Sequence, residues 1–70
     1  MTKLDLHGVR HSEVHRLVED FILMNQGEFP LEIICGNSGK MIKLVHEVTD
    51  KLECETHMYR YGTIIVRRWL

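Results

Sequence analysis

The sequence predicts an α/β two-layer sandwich, in which two helices cover one face of a four-stranded mixed sheet. Segments with alternating apolar residues are separated by segments whose apolar residues recur every three or four positions. A glycine follows each of the first two predicted strands. One helix separates those strands, a β-α-β arrangement that favours right-handed parallel pairing. The predicted order of elements is therefore β-α-β-α-β-β.

The first half of the chain predicts a strand followed by an amphipathic helix. Residues 3–7 are predicted to form the first strand, because two leucines alternate there with polar side chains. Gly8 ends this strand, since glycine tolerates backbone angles that other residues avoid. Ser12 is the predicted N-cap of a helix that continues to about residue 26 and ends at Gly27. The apolar stripe of that helix consists of Val14, Leu17, Val18, Phe21 and Ile22.

The middle of the chain predicts a buried strand, a loop and a second helix. Residues 31–35 are the second strand, with a buried run at its end, and residues 36–39, Gly-Asn-Ser-Gly, form a loop. The second helix is expected to begin near Ser38 or Lys40. Its apolar stripe consists of Met41, Ile42, Val45, Val48 and Leu52.

The last part of the chain predicts two more strands. They cover residues 56–61 and residues 63–69, and Gly62 marks the turn between them. Seventy residues make one domain.

Composition limits the classes of function. The formal net charge is −1, so binding to nucleic acid requires local clustering of Lys and Arg. Cys35 and Cys54 lack the paired spacing of a zinc ribbon and are expected to be reduced thiols of a cytoplasmic protein. No apolar run approaches the roughly 20 residues of a membrane span, and no secretory signal opens the sequence. We therefore expect no membrane partner.

Three segments carry a resemblance to a known family. Residues 4–8 read Leu-Asp-Leu-His-Gly, residues 34–39 read Ile-Cys-Gly-Asn-Ser-Gly, and residues 62–66 read Gly-Thr-Ile-Ile-Val. In these segments and in the order of its elements, nearly the whole chain resembles the Smr (small MutS-related) domain. That family has a fold similar to the C-terminal domain of bacterial translation initiation factor 3. The resemblance implies nucleic-acid binding and, as in several members, nicking of DNA or cleavage of RNA.

The resemblance also implies roles for particular residues. The Leu-Asp-Leu-His motif is complete and puts Asp5 and His7 forward as catalytic residues. The family's second motif is usually His-Gly-Lys-Gly or Thr-Gly-Lys/Arg-Gly, whereas residues 35–38 read Cys-Gly-Asn-Ser. Cys35 thus replaces the His or Thr, and Asn37 replaces the basic residue. The resemblance therefore supports binding more strongly than catalysis.

The residues themselves allow cleavage chemistry at Asp5 and His7. An imidazole titrates near neutral pH, so His7 could act as a general base or acid, and Asp5 could orient its ring or hold a divalent cation as cofactor. The alternative is that His7 caps a loop and Asp5 binds backbone amides.

The loops after the two parallel strands predict a phosphate site. Both loops should lie side by side at one edge of the sheet, and backbone N–H groups at the start of a helix suit a phosphate oxygen. The alternative is a plain strand-to-helix connection with an N-cap. The expected phosphate-binding residues are Gly8, Arg10, Gly36, Asn37, Ser38, Gly39, Lys40 and Lys43.

Further side chains could extend this site. Arg67 and Arg68 are expected to point to opposite faces of their strand, so that at most one joins any basic patch. Tyr59, Tyr61 and Trp69 could stack on unpaired bases, or else pack on the sheet. The other basic residues that could flank the edge are Arg16 and Arg60.

A metal site on the first helix is the less favoured reading of its histidines. His11, His15 and Glu19 would share one face of the helix and could bind a transition metal. A solvated polar face is the expected alternative, so we assign no metal ligand.

Two functions from different classes fit the sequence. The first is a stand-alone Smr-like domain that binds DNA or RNA, with weak endonuclease activity. The second is a non-catalytic adaptor or oligomerisation module. It would bury Tyr, Ile and Trp side chains of the open sheet face against a larger protein or a second copy in a homodimer.

Overall fold

A computed structural model describes all residues, 1–70, and contains a four-stranded sheet and two α-helices. In chain order the elements are β1 Lys3–Asp5, α1 His11–Met24, a 3-10 turn Gln26–Glu28, β2 Leu31–Ile34, α2 Gly39–Lys51, β3 Cys54–Arg60 and β4 Thr63–Trp69. The strands lie in the order β1-β2-β4-β3, with β1 parallel to β2 and β4 antiparallel to both of its neighbours. The predicted mixed α/β sandwich is confirmed.

Both helices pack on the same face of the sheet. Leu6, Ile33 and Ile64 are fully buried in one cluster with the apolar stripes of α1 and α2. Residues one position along the strands, such as Glu32 and Ile65, are only half-buried on the other face. Alternation along the strands therefore separates a covered face from an open one. It also corrects the expected buried run at the end of β2, because Ile34 lies on the open face.

The first half of the chain differs from prediction at two boundaries. Strand β1 ends at Asp5, so His7 lies in the turn that follows and not on the strand. Helix α1 begins at His11 with Arg10 as its N-cap, which places the predicted cap Ser12 inside the helix. The helix ends before Gly27, because the side chain of Asn25 donates to the carbonyl of Phe21 at 2.7 Å.

The second half follows the prediction more closely. Helix α2 begins after Ser38, whose hydroxyl accepts a hydrogen bond from the N–H of Met41 at 3.1 Å. Its buried face also includes Leu44 and Thr49, which the predicted stripe omitted. Strand β3 begins earlier than predicted, and it ends at Arg60, so Tyr61 belongs to the turn. Strand β4 has its predicted bounds.

No helix combines the length and the apolar composition needed to cross a lipid bilayer.

Candidate functional site

Three connections meet at one edge of the sheet. They are the β1–α1 turn, the β2–α2 loop and the β3–β4 turn, and we call residues 7–10, 35–40 and 59–62 together the glycine edge. The N–H of Cys35 donates to the carbonyl of Gly62 at 2.7 Å, which ties the hairpin turn to the loop. The structure thus brings the two glycine loops together, as the parallel pairing of β1 and β2 predicts.

Close approach at this edge requires glycine at two positions. Gly36 has φ +71°, and a Cβ atom there would lie 3.1 Å from Nε2 of His7. Gly62 has φ +87°, and a Cβ atom there would overlap the carbonyl oxygen of Gly36. Side chains avoid such backbone angles, so both positions favour glycine for conformation, and Gly62 also requires it for space. The imidazole of His7 therefore lies directly against the loop.

Asp5 holds the ring of His7 in place. Oδ1 of Asp5 lies 2.6 Å from Nδ1 of His7 and also accepts a hydrogen bond from the backbone N–H of His7 at 3.0 Å. These two hydrogen bonds, the backbone one first, hold the pKa of Asp5 below its ordinary value. An ionised carboxylate requires a proton on Nδ1, which leaves the lone pair of the neutral ring on Nε2. One oxygen therefore does what both sequence interpretations proposed, binding an amide and orienting the ring.

The start of helix α2 offers main-chain donors beside His7. The first N–H groups of a helix have no acceptor within the helix, and here they belong to Gly39 and Lys40. The hydroxyl of Ser38 is already used as the N-cap. Asn37 is exposed at the outer side of the loop. Of the predicted phosphate-binding groups, the amides at residues 39 and 40 are therefore better placed than the Ser38 hydroxyl.

Exposed cations surround this edge. None of these cations lies within ion-pair distance of a carboxylate. They are Arg10, Lys40, Lys43 and Arg60. Two acidic side chains close to Arg10 in the sequence already have partners, since Asp5 binds His7 and Glu13 binds Arg16 at 2.6 Å. Positive charge is thus concentrated here despite the net charge of −1.

The other predicted basic residues lie elsewhere and have acidic partners. Arg16 pairs with Glu13, and both Arg67 and Arg68 reach Glu55, at 3.6 and 2.5 Å. The expectation that Arg67 and Arg68 face opposite sides is therefore wrong. The pairing of β3 with β4 shifts by one residue beside Glu55, and Arg67 is the residue without a partner across the strands.

The three candidate stacking aromatics divide in the same way. Trp69 is half-buried at the far end of β4 and packs edge-on against Phe29, with ring centroids 5.5 Å apart. Trp69 therefore follows the alternative interpretation, in which the aromatic ring packs on the protein and does not stack on bases. Tyr59 and Tyr61 are 69% and 63% exposed at the hairpin. The Tyr61 hydroxyl lies 3.7 Å from where a Cβ of Gly39 would be, a contact that sequence reasoning missed. The only feature of the sequence that points to this contact is the position of Tyr61 immediately before the turn glycine, Gly62.

Cys35 takes no part in the site. Its side chain is 4% exposed in the core, and burial raises the pKa of its thiol to about 11. The thiol is therefore protonated and unreactive at neutral pH. The side chain at this position therefore belongs to the core and not to the surface of the site.

One histidine of α1, His15, forms an interhelical contact. Nε2 of His15 lies 2.7 Å from a carboxylate oxygen of Glu47, and Nζ of Lys51 lies 3.4 Å from Glu19. The structure contains no group of three or more His, Cys, Asp or Glu side chains arranged to bind a metal ion. These residues join α1 to α2 on the surface.

The function of the chain has to be inferred from this geometry. Comparison with protein-family models, with curated proteins and with solved structures finds no match.

Proposed function

We propose that this chain is a Smr-like domain that binds the sugar-phosphate backbone of nucleic acid at the glycine edge. The observation that carries the proposal is the set of four exposed cations without carboxylate partners, which lie on the segments that meet at the glycine edge and on the first turns of α2. The proposal places the domain in the cytoplasm, where free thiols such as those of Cys35 and Cys54 persist.

Charge supplies the first part of the argument. A cluster of Lys and Arg creates a local positive potential even when the whole protein is slightly acidic. Lys40 and Lys43 lie three residues apart on α2 and therefore project from the same side of that helix. Arg60 is the last residue of β3 and Arg10 is the N-cap of α1, so both belong to the glycine edge. Phosphates of a nucleic-acid strand are the ligands that such a spread of cations suits.

Main-chain donors supply the second part. A phosphate oxygen at the start of α2 could accept hydrogen bonds from the N–H groups of Gly39 and Lys40, where the helix dipole also favours negative charge. Neither Gly36 nor Gly39 has a side chain that would keep a phosphate away from the backbone. These donors do not distinguish bases, so they predict binding with little sequence preference.

The Asp5–His7 pair supports weak endonuclease activity in the same proposal. Nε2 of His7 takes a proton from water as the water attacks phosphorus, and the leaving oxygen takes a proton from solvent as the P–O bond breaks on the opposite side. The imidazolium then releases its proton to solvent. Asp5 keeps the ring in the tautomer that this step requires. A divalent cation would neutralise phosphate charge during the reaction, so the cleavage test includes one.

A protein-binding adaptor is the competing function. The open face of the sheet carries Ile34 and Ile65, which no helix covers. A larger protein or a second copy of the chain could bury these side chains. Light scattering tests the second-copy form of this function, because a strict monomer that binds nucleic acid contradicts the oligomerisation module.

Salt dependence of binding tests the leading proposal. The affinity of the protein for fluorescently labelled single-stranded DNA and RNA is measured by anisotropy over a range of salt concentrations. The Lys40→Ala/Lys43→Ala variant should reduce the slope of log affinity against log salt by about 1.4, or about 0.7 for each lost phosphate contact. Arg68→Ala is the matched control, since Arg68 is bound to Glu55 at the other end of the hairpin. If the wild-type protein binds neither DNA nor RNA at low salt, the proposal is wrong.

Cleavage is tested with the same oligonucleotides, incubated with Mg²⁺, with Mn²⁺ or with a chelator. Wild-type protein should produce nicked product, and His7→Ala should not. His57→Ala is the control, because His57 is exposed on β3 and lies outside the glycine edge. Absence of product from every protein would remove the endonuclease from the proposal and leave the binding function in place.

A further inference from the structure

The tip of the β3–β4 hairpin differs from every other aromatic region of the chain. Its residues 59–61, which we call the hairpin tip, read Tyr-Arg-Tyr. Tyr59 and Tyr61 are the only aromatic residues with exposed side chains, and Arg60 between them has no ion-pair partner. The remaining aromatic residues, which are all half-buried, are Phe21, Phe29 and Trp69.

A β-bulge accounts for the position of Tyr59. Met58 pairs with Ile64 and Arg60 pairs with Thr63, so Tyr59 is an extra residue without a partner on β4. A bulge bends the strand, increases its twist and re-aims the side chains near it. Because of this bulge, the ring of Tyr59 does not pack on the sheet and is exposed.

The turn glycine accounts for the position of Tyr61. Gly62 packs against Gly36 so closely that no Cβ fits between them, and its carbonyl accepts the N–H of Cys35. The Tyr61 hydroxyl consequently reaches the first residue of α2, Gly39. Tyr61 of the hairpin tip therefore lies beside Gly39, one of the residues whose amides are assigned to phosphate binding.

We propose that the hairpin tip makes this site selective for unpaired nucleotides of a single strand, an inference that rests on the proposed nucleic-acid function. Bases of a single strand expose their faces to aromatic rings, and stacking on such rings tolerates any base. Arg60 lies between the rings and binds the phosphate that joins the two stacked nucleotides. Bases in a duplex are already stacked on each other, so a duplex contacts only the cations of the glycine edge.

The test compares a single-stranded DNA of about 12 nucleotides with the duplex of the same sequence. Tyr59→Leu/Tyr61→Leu removes both rings and keeps apolar side chains of moderate size, and Tyr59→Phe/Tyr61→Phe is the matched control that keeps the rings. The leucine variant should bind the single strand about tenfold more weakly than wild type, and the duplex less than about twofold more weakly. The phenylalanine variant should lose less than about threefold on either ligand. Circular dichroism confirms that the variants are folded.

A second measurement locates the bases directly. Stacking should move the NMR signals of the Tyr59 and Tyr61 ring protons upfield when the single strand is added, while those of Trp69 stay in place. The inference is overturned if wild type prefers the duplex, if the leucine variant weakens both ligands equally, or if only Trp69 responds. Failure of wild type to bind either ligand would instead overturn the proposed function itself.

Discussion

The two ends of the β3–β4 hairpin use the same residue types in opposite ways. At the end where β4 finishes, Arg68 binds Glu55 at 2.5 Å and Trp69 packs on Phe29. At the glycine edge, Arg60 has no carboxylate partner, and the aromatic rings on either side of it are exposed. Both ends contain arginines and aromatic residues, but these side chains have partners within the chain at only one end.

This difference separates residues that the fold uses from residues that it leaves free. Side chains with partners inside the chain are explained by folding alone. A cluster of cations without partners repels itself and contributes nothing to the compact state. The four cations around the glycine edge belong to this second group, and the proposed function rests on them.

Of the changes at the glycine edge, replacing Gly62 should reduce the stability of the protein the most. Gly62→Ala combines a left-handed backbone angle with a Cβ that overlaps the carbonyl of Gly36. We expect the free energy of unfolding to fall by more than about 3 kcal/mol, since backbone cannot move aside as a flexible side chain can. Urea denaturation measures the loss.

Two other glycines serve as controls for Gly62. Gly8 also has a positive φ, but a Cβ there meets nothing within 4 Å, so Gly8→Ala should cost about 1 kcal/mol. Gly36→Ala should cost only slightly more, because the exposed imidazole of His7 can move away. Equal losses in all three variants would show that backbone angle alone, and not close packing of the two loops, requires these glycines.

Thiol chemistry should show that the glycine edge works through its main chain and not through Cys35. Burial raises the pKa of Cys35 to about 11, and it also raises the pKa of Cys54 at the other end of the hairpin. At pH 8 we expect Cys35 in the folded protein to react with a disulfide reagent at least about a hundredfold more slowly than the unfolded chain, because little of it is thiolate. Absorbance of the released thiol follows the reaction. Rapid labelling of Cys35 in the folded protein would place this thiol in the site and contradict the comparison.

The fold could be predicted from the sequence because its signals are local and periodic. The stripe of α2 and the alternation in β4 each repeat often enough to identify an element and its buried face. The wrong predictions concern features that depend on a single residue, such as a helix cap or the register of one strand pair. Ser12 resembles an N-cap, yet α1 begins one residue before it, after Arg10, without a side-chain cap. Strand alternation predicts opposite faces for Arg67 and Arg68, but a shift in strand register directs both to Glu55.

The candidate site was only partly predictable because its residues meet through contacts distant in sequence. Parallel pairing of β1 and β2 was enough to bring His7 near residues 36–39. No sequence pattern shows that the Tyr61 hydroxyl reaches Gly39, or that Gly62 packs on Gly36. A sequence also does not show which arginines have acidic partners, so seven candidate cations became four once the ion pairs were visible.

Arginines at the two ends of the hairpin should affect nucleic-acid binding differently. Arg60→Ala removes a cation without a carboxylate partner, so we expect affinity for single-stranded DNA to fall about fivefold and the salt slope to fall by about 0.7. Arg67→Ala is the control at the other end, where Glu55 already holds the guanidinium. Anisotropy titrations measure both variants. A loss of similar size for Arg67→Ala would mean that the ligand covers the whole hairpin.

The smallest expected effect concerns stability in acid, where we compare Asp5 beside the glycine edge with Glu55 at the other end of the hairpin. Hydrogen bonds from His7, the backbone one first, lower the pKa of Asp5, while a hydrogen bond from Arg68 lowers the pKa of Glu55. A carboxylate whose pKa is lowered by folding stabilises the protein above its unfolded pKa, and this contribution is lost as pH falls through the folded pKa. Asp5→Asn and Glu55→Gln should therefore each slightly weaken the dependence of unfolding free energy on pH below about pH 4.5. Urea denaturation across this pH range measures it.

Salt then separates the two carboxylates. The main partner of Glu55 is a guanidinium, and screening by added salt weakens the attraction between two exposed charges. The main partner of Asp5 is a neutral backbone N–H, whose hydrogen bond depends much less on ionic strength. Raising the salt concentration should thus reduce the effect of Glu55→Gln and leave that of Asp5→Asn nearly unchanged. The same response from both would mean that Asp5, like Glu55, is held mainly by a charge, and that its contact with the imidazole outweighs the one with the main chain.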